Sequence, residues 1–328
     1  RHALQLIRET AGEETFLVGC GAPLGPSIGL VDAMRIGPDT APTWEPVLAG
    51  VRRPFRNEDS LPALRNSLRN GMTRAWMHGR WWINDPDALM LRESQTELTA
   101  DEIRSQLTLL GLSGGLFGLS DDLPQLTREQ IAAAALLYPP LLEGMDVLDL
   151  FRRQMPTEVV APVARPWGHW QLVGLFNWGE TPAVALLPPH LPGFDSRRRY
   201  HVVDFWNRRY QGLEAGAPLP EFELAPHGCI LLGVRPVTAA PQLVSTTFHI
   251  SQGGEVTDWR TESAAVRLTL RLERIADGEV WLALPAPPRE ATLDETPLPR
   301  EALFGVAKGI WAFKFRLPRE GTLRVTWD

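Results

Sequence analysis

The chain has 328 residues, 44% of them hydrophobic and 22% charged. That balance excludes a disordered polymer, and no apolar run approaches the roughly 18 residues of a spanning helix. The 39 acidic and 33 basic residues give a net charge of -6 and are scattered along the whole sequence, which argues against nucleic acid or an anionic membrane as partner and for a neutral ligand.

In chain order, Ala3, Leu4 and Ile7 fall at helical spacing before a stop at Gly12, which predicts a first helix. The sequence opens on Arg1 rather than Met, so the true N-terminus is expected upstream and the lack of a leader says nothing of export. Thr15 to Cys20 is nearly all apolar, as a parallel strand buried on both faces requires. Val31 to Ile36, Arg80 to Asn84 and Gly114 to Leu119 are further strand candidates. Helices are predicted near 58–75, over 99–111 and over 127–137. The last two open on the capping boxes Thr99-Ala100-Asp101-Glu102 and Thr127-Arg128-Glu129-Gln130. Strand and helix thus alternate through residues 1–155, which is α/β architecture.

The pattern then changes. His169 to Phe176, Thr181 to Leu187, Tyr200 to Trp206 and Cys229 to Val234 are short runs between Gly, Pro and Asn clusters, and predict an antiparallel β domain over 156–237. After a turn or linker at Pro236 to Pro241, Val266, Leu268, Leu270 and Leu272 interleave with Arg267, Thr269, Arg271 and Glu273. The same period of two recurs at Trp311, Phe313, Phe315 and Leu317, and at Leu323, Val325 and Trp327. Residues 238–328 therefore predict a β-sandwich-like domain.

The two cysteines, Cys20 and Cys229, lie far apart in apolar stretches. They read as buried free thiols, with no disulfide framework or zinc cluster, and favour a reducing, cytoplasmic compartment. The histidines, His249 included, show no ligand spacing; neither a metal nor another cofactor is expected.

Three acidic clusters stand at or after the ends of the predicted parallel strands: Arg35-Ile36-Gly37-Pro38-Asp39, Asn84-Asp85-Pro86-Asp87 and Ser120-Asp121-Asp122. In a parallel barrel such ends converge on one mouth. An aspartate beside a proline is also ordinary turn and cap chemistry, which explains any one cluster taken alone. Trp44, Trp76, Trp81 and Trp82 have the faces to stack on sugar rings, or pack in the core. Trp81 and Trp82 would point to opposite sides of a strand, so at most one of them faces the mouth. Trp167, His169, Trp170, Phe205 and Trp206 read as core of the β region.

Phe16-Leu17-Val18-Gly19-Cys20-Gly21-Ala22-Pro23-Leu24, then Val31-Asp32-Ala33-Met34-Arg35-Ile36-Gly37-Pro38-Asp39 and Trp44, resemble the acid/base region of glycoside hydrolase family 36, the melibiase-type α-galactosidases. Asn84-Asp85-Pro86-Asp87 resembles a signature shared with family 27, and Ser113-Gly114-Gly115 with Ser120-Asp121-Asp122 resembles the last barrel strand and its exit loop. The resemblance implies the C-terminal half of a (β/α)8 TIM barrel, strands five to eight, followed by antiparallel β domains. It implies Asp39 as general acid/base, Arg35 as a contact to sugar hydroxyls and carboxylates, and Asp87 as a pocket residue. Cys20 and Gly21 would line the site from the fifth strand end, and Trp44 would join the substrate-binding set. Asp121 is an exposed loop carboxylate that serves equally as a cap.

A retaining glycosidase needs a second carboxylate about 5 to 5.5 Å away as nucleophile. The family carries it in a Lys-x-Asp motif, whereas this chain has lysines only in Lys308-Gly309-Ile310 and Lys314-Phe315-Arg316. Its place would be upstream of Arg1. The implied activity is removal of terminal α-galactosyl residues from oligosaccharides (EC 3.2.1.22), without turnover in the isolated chain. Galactosyl transfer, another α-glycosidase such as one for N-acetylated galactosides, and a non-catalytic sugar-binding protein built from the β tail are the alternatives. An open half barrel would expose strand edges, so the missing half, or self-association into a homo-oligomer, is the expected protein partner. To donate a proton Asp39 must hold one, which burial and a neighbouring carboxylate favour and a cation opposes. Arg35 is therefore expected to lean toward the nucleophile or the substrate.

Overall fold

The computed structural model describes residues 1–52, 54, 57–141 and 143–328. It divides into one unit of Arg1–Ala161, Gly174–Ala185 and Glu223–Cys229, and a second of Pro162–Val173, Leu186–Phe222 and Ile230–Asp328. The architecture is mostly β, in several sheets.

In the first unit α1 (His2–Ala11) stops at Gly12, as its sequence requires. α2 (Leu24–Ser27), α3 (Leu64–Thr73), α4 (Ala100–Ser113) and α5 (Arg128–Ala135) follow. Both predicted capping boxes are closed: Thr99 with Glu102 at α4, and Thr127 with Gln130 at α5. Three short strands, β1 (Val18–Gly19), β2 (Ala33–Arg35) and β3 (Ile83–Asp85), form a parallel sheet in that order. Ala33, Met34 and Arg35 stand opposite Ile83, Asn84 and Asp85. Leu64, Leu68 and Met72 of α3 and Leu109 and Leu112 of α4 are fully buried, and the two helices pack together.

Two expected strands differ. The run Thr15 to Cys20 is not buried on both faces. Only Val18–Gly19 is strand, Phe16 and Val18 are roughly half exposed, and Cys20 is exposed rather than a buried thiol. β1 is the edge of its sheet and pairs only with β2 among the described residues, so apolar composition there does not translate into burial. Gly114 to Leu119 forms no regular strand. Gly114 is the left-handed cap of α4 with φ 70°. A Cβ on Gly115 would collide with the Asn84 carbonyl oxygen, so the backbone lies directly against β3. Leu116 N donates to Asn84 O at 2.8 Å and Leu89 N to Gly118 O at 2.7 Å, a parallel association without a full ladder. The helix expected near 58–75 is confined to Leu64–Thr73.

Antiparallel pairing begins with β4 (Asp146–Val147), β5 (Glu158–Arg165), β6 (Gly168–Phe176), β7 (Ala183–Leu186), β8 (Tyr200–Asp204), β9 (Arg209–Leu213), β10 (Glu221–Leu224) and β11 (Cys229–Pro236). One sheet has the order β4-β5-β6-β11-β8-β9, and β10 pairs with β7. Next come β12 (Gln242–Thr246), β13 (Val256–Glu262), β14 (Ala265–Arg271), β15 (Ala276–Ala283), β16 (Pro288–Leu293), β17 (Thr296–Pro297), β18 (Leu303–Ala307), β19 (Ile310–Leu317) and β20 (Glu320–Trp327). They form two sheets, β12-β15-β19-β18 and β13-β14-β20-β16-β17.

Between those sheets the period-two pattern is met residue by residue. Val266, Leu268, Leu270 and Leu272 join Phe313, Phe315, Leu317, Leu323, Val325 and Trp327 in one buried cluster. Arg267, Arg271 and Glu273 are exposed. Gly278 leaves room for the Phe248 ring, which a Cβ there would meet at 2.6 Å.

Leu268→Ala should therefore cost about 2–5 kcal/mol in urea unfolding, while Arg267→Ala one position away should stay within about 0.5 kcal/mol. Equal effects would refute the assigned faces. The thiols should also differ. Cys229 lies 3.2 Å from the Thr108 hydroxyl, and burial pushes its thiol up to about 11. A maleimide at pH 7.5 should modify the folded chain much faster at Cys20, and equally rapid labelling of both would contradict the raised thiol of the partly exposed Cys229.

Candidate functional site

Because β2 and β3 are parallel and in register, their last residues, Arg35 and Asp85, stand side by side. Ile36 N donates to Asp85 O at 3.0 Å, so the two chains leave the sheet together. The Arg35 guanidinium then spans three carboxylates. Its Nε meets Asp85 Oδ2 at 3.1 Å, its Nη2 meets Asp87 Oδ1 at 2.9 Å, and its Nη1 meets Asp39 Oδ1 at 3.2 Å. The side chains of Arg35, Asp85 and Asp87 are 20%, 13% and 12% exposed, whereas Asp39 is 73% exposed. Burial pulls the Arg35 guanidinium down, but Asp85 and Asp87 outweigh it and carry the group above its ordinary value, with a smaller push from Cys20. Arg35 is a fixed cation.

The Asp87 carboxylate is held on several sides. Its Oδ2 accepts Thr40 N at 2.6 Å, and its own N donates to Asp85 Oδ1 at 2.9 Å. Its backbone is left-handed with φ 80°, a region that aspartate enters more readily than most residues. Thr40 Oγ1 donates to Ser67 Oγ at 3.2 Å and Ser67 Oγ to Pro86 O at 3.0 Å, which ties both loops to α3. Arg74, just beyond α3, donates to Ile36 O. Asn84 is structural: Trp82 Nε1 donates to its Oδ1 at 3.1 Å, and its Nδ2 donates to Arg74 O at 3.0 Å.

The expected residues Asp39, Arg35 and Asp87 are thus brought together at one rim. Arg35 is not locked to Asp39 alone; its tighter, more buried partners are Asp85 and Asp87. Cys20 follows β1 on the same side as the ends of β2 and β3 and lies within electrostatic reach of Arg35. Gly21 has φ 64° and open space where a Cβ would stand, so it serves a turn rather than a close approach.

The Trp44 ring is taken up by partners other than the Arg35 cluster. It is buried and stacks on His227 with ring centres 4.1 Å apart, and on Trp178 at 5.8 Å. His227 Nδ1 in turn bonds Glu102 Oε1 at 2.7 Å. Burial pushes the Glu102 carboxyl up, but its bonds to His227 and Thr99 prevail and hold it below the usual range. Trp82 is buried, and Trp76 and Trp81 pack edge to face at 4.6 Å. Asp121 is not an exposed loop carboxylate. Its side chain is buried, accepting Leu91 N at 2.6 Å and Arg92 Nη1 at 3.2 Å, which makes it a loop cap.

Asp85 is the site residue that sequence reasoning passed over. Its signal was its place at the end of the third strand, level with Arg35. Chemically, three carboxylates against one guanidinium leave a surplus of acceptors and one planar donor fork, a surface matched to the hydroxyls of a neutral polyol. Among the described residues no group of three or more His, Cys, Asp or Glu side chains is arranged to hold a metal ion.

No family model matches the chain. Among solved structures it is similar to a GH27 β-L-arabinopyranosidase from Geobacillus stearothermophilus, at 16% identity over 74% of this chain and 55% of that one, with a TM-score of 0.50. It is also similar to α-galactosidase I from Mortierella vinacea, at 15% identity over 69% of this chain and 59% of that one (TM-score 0.47). A Saccharomyces cerevisiae α-galactosidase solved with raffinose matches at 12% identity over 64% and 60% of the two chains (TM-score 0.47). The chain thus spans between 55% and 60% of the length of these structures. Its fold is similar to that of the arabinopyranosidase.

Proposed function

We propose that these residues are the C-terminal part of a retaining glycoside hydrolase that removes terminal α-galactosyl residues, with Asp39 as general acid/base. The carrying observation is the Arg35 hub, which gathers Asp39, Asp85 and Asp87 at the ends of adjacent parallel strands. On this reading β1 to β3 belong to the fifth to seventh strands of a (β/α)8 barrel within 1–155, and 156–237 and 238–328 are its β appendages. The nucleophile, of the Lys-x-Asp type, is assigned to a segment outside these residues.

In the first step the nucleophile's carboxylate attacks the anomeric carbon, the glycosidic C–O bond breaks, and Asp39 passes its proton to the departing oxygen. In the second step the Asp39 carboxylate takes a proton from water as that water displaces the enzyme carboxylate. Arg35, 3.2 Å away, holds the Asp39 carboxylate in position for this second role. Asp85 and Asp87, held in place by Arg35 and only partly offset by its single charge, accept from sugar hydroxyls.

A β-L-arabinopyranoside has the ring hydroxyls of an α-galactoside without the hydroxymethyl group, so aryl glycosides of both, with the N-acetylgalactosaminide as a third, distinguish the sugar. In the complete protein, Asp39→Ala should lower turnover by about 10²–10⁴ on glycosides with poor leaving groups and far less on activated aryl glycosides. Unchanged turnover on poor leaving groups would remove Asp39 from the role. Arg35→Lys keeps the charge but not the fork. It should lower kcat/KM on every substrate by at least about tenfold, since no ammonium spans three carboxylates in one plane. A variant as active as the parent would refute the hub.

A further inference from the structure

In the second unit, three indoles form a row. Trp170 on β6 stacks on Trp167 with centres 5.5 Å apart, and Trp167 stacks on Trp259 of β13 at 5.8 Å. Arg235 of β11 lies across the row, its guanidinium carbon 3.8 Å from the Trp170 ring centre and 5.8 Å from that of Trp167. A cavity of about 100 Å³ opens beside them, lined by Trp167, Trp259, Arg235, His169, Thr238 and Gln242.

What sets Arg235 apart is its lack of a counter-ion. The residue is only 3% exposed, its Nη2 donates to Gln252 O at 3.1 Å, and its Nε has no partner. Among the described residues no carboxylate stands within ion-pair distance of it. Glu255, the acid nearest in influence, is buried and bonded to Thr246 and Ser251, and burial pushes its carboxyl up toward the neutral form. His201 faces Arg235 across the β8–β11 pair; burial first, and then Arg235 itself, pull it down to about 4 against a hydrogen bond with Gln242, so it is neutral there and adds no second cation. Gln242 is committed to the backbone, its Nε2 to Pro236 O at 2.7 Å and its Oε1 to Thr238 N at 2.8 Å, and holds that wall in place.

A buried guanidinium that lines a cavity and has no carboxylate paired to it calls for a planar anion, which a carboxylate fits better than a spherical ion. Indole faces at the same opening suit the C–H face of a pyranose ring. We propose that this cavity binds a monosaccharide carrying a carboxylate, of the hexuronate class, with the carboxylate on Arg235 and the ring against Trp259 at the end of the row. The proposal does not rest on the hydrolytic reading.

The test is titration of the full chain with galacturonate and glucuronate at neutral pH, followed by tryptophan fluorescence and calorimetry. The comparison ligands are galacturonate methyl ester, galactose and inorganic phosphate. Saturable binding of a uronate, weakened at least about tenfold by esterification, is expected, since the ester removes the charge that Arg235 awaits. Trp259→Ala, at a partly exposed position, should weaken the same binding by a similar factor while the fold is retained, which covers the case in which Arg235→Lys fails to fold. The idea is overturned if galactose or the methyl ester binds as tightly as the acid, if phosphate competes equally, if Trp259→Ala changes nothing, or if no uronate binds saturably.

Discussion

One guanidinium holding three carboxylates is the constraint on which the candidate site depends. Asp85 and Asp87 are largely withdrawn from water, and without Arg35 their charges would face each other across a strand end with nothing to compensate them. Breaking such a buried arrangement by removing one partner typically costs about 3–5 kcal/mol. The register of two three-residue strands is what makes it possible: a slip of one residue would turn Arg35 or Asp85 to the other face of the sheet. The hydrogen bonds from Thr40 to Asp87 and from Ile36 to Asp85 then fix the loops around the ion cluster. Local geometry and electrostatics here are one device.

What the sequence made legible follows from the range of the physics involved. Capping boxes at Thr99 and Thr127 are local, four-residue chemistry, and they form as read. The alternation through Val266 to Leu272 reports a sheet with one wet face, and every alternate side chain obeys it. Asp39, Arg35 and Asp87 were reachable because strand-end placement puts them on one rim. Burial of Asp121, by contrast, depends on a partner thirty residues away, Leu91 N, which no local pattern announces. The same holds for Trp44, whose fate is decided by His227 and Trp178. Thr15 to Cys20 misleads for a different reason: composition signals what a strand would bury if it had neighbours on both sides, and β1 has one. Asp85 escaped because the more prominent second aspartate of the same motif drew the assignment.

Asp39 stands apart from its companions. It takes the outermost place on Arg35, at the longest of the three contacts, and is the one carboxylate of the cluster open to water. A structural carboxylate gains from being withdrawn and fully paired, as Asp85 and Asp87 are. A carboxylate that must exchange protons with a leaving group and a water needs access and a loose tether. The asymmetry within one ion cluster thus separates positioning groups from the group proposed to react.

The two buried arginines sharpen this contrast. Around Arg35, carboxylates outnumber cations, and burial is outweighed so that the guanidinium rises above its ordinary value. Around Arg235, burial prevails over the opposing pull of Glu255 and draws the group down to about 9. The same side chain is therefore a completed structural element in one unit and an uncompensated charge in the other. Aromatic stacking on Trp170 offsets part of the cost of burying Arg235, since a guanidinium over an indole face is stabilised by about 0.5–2 kcal/mol. It leaves Nε unpartnered. A cation kept in that condition beside an open, indole-walled cavity is accounted for most economically by an anion that arrives from solution.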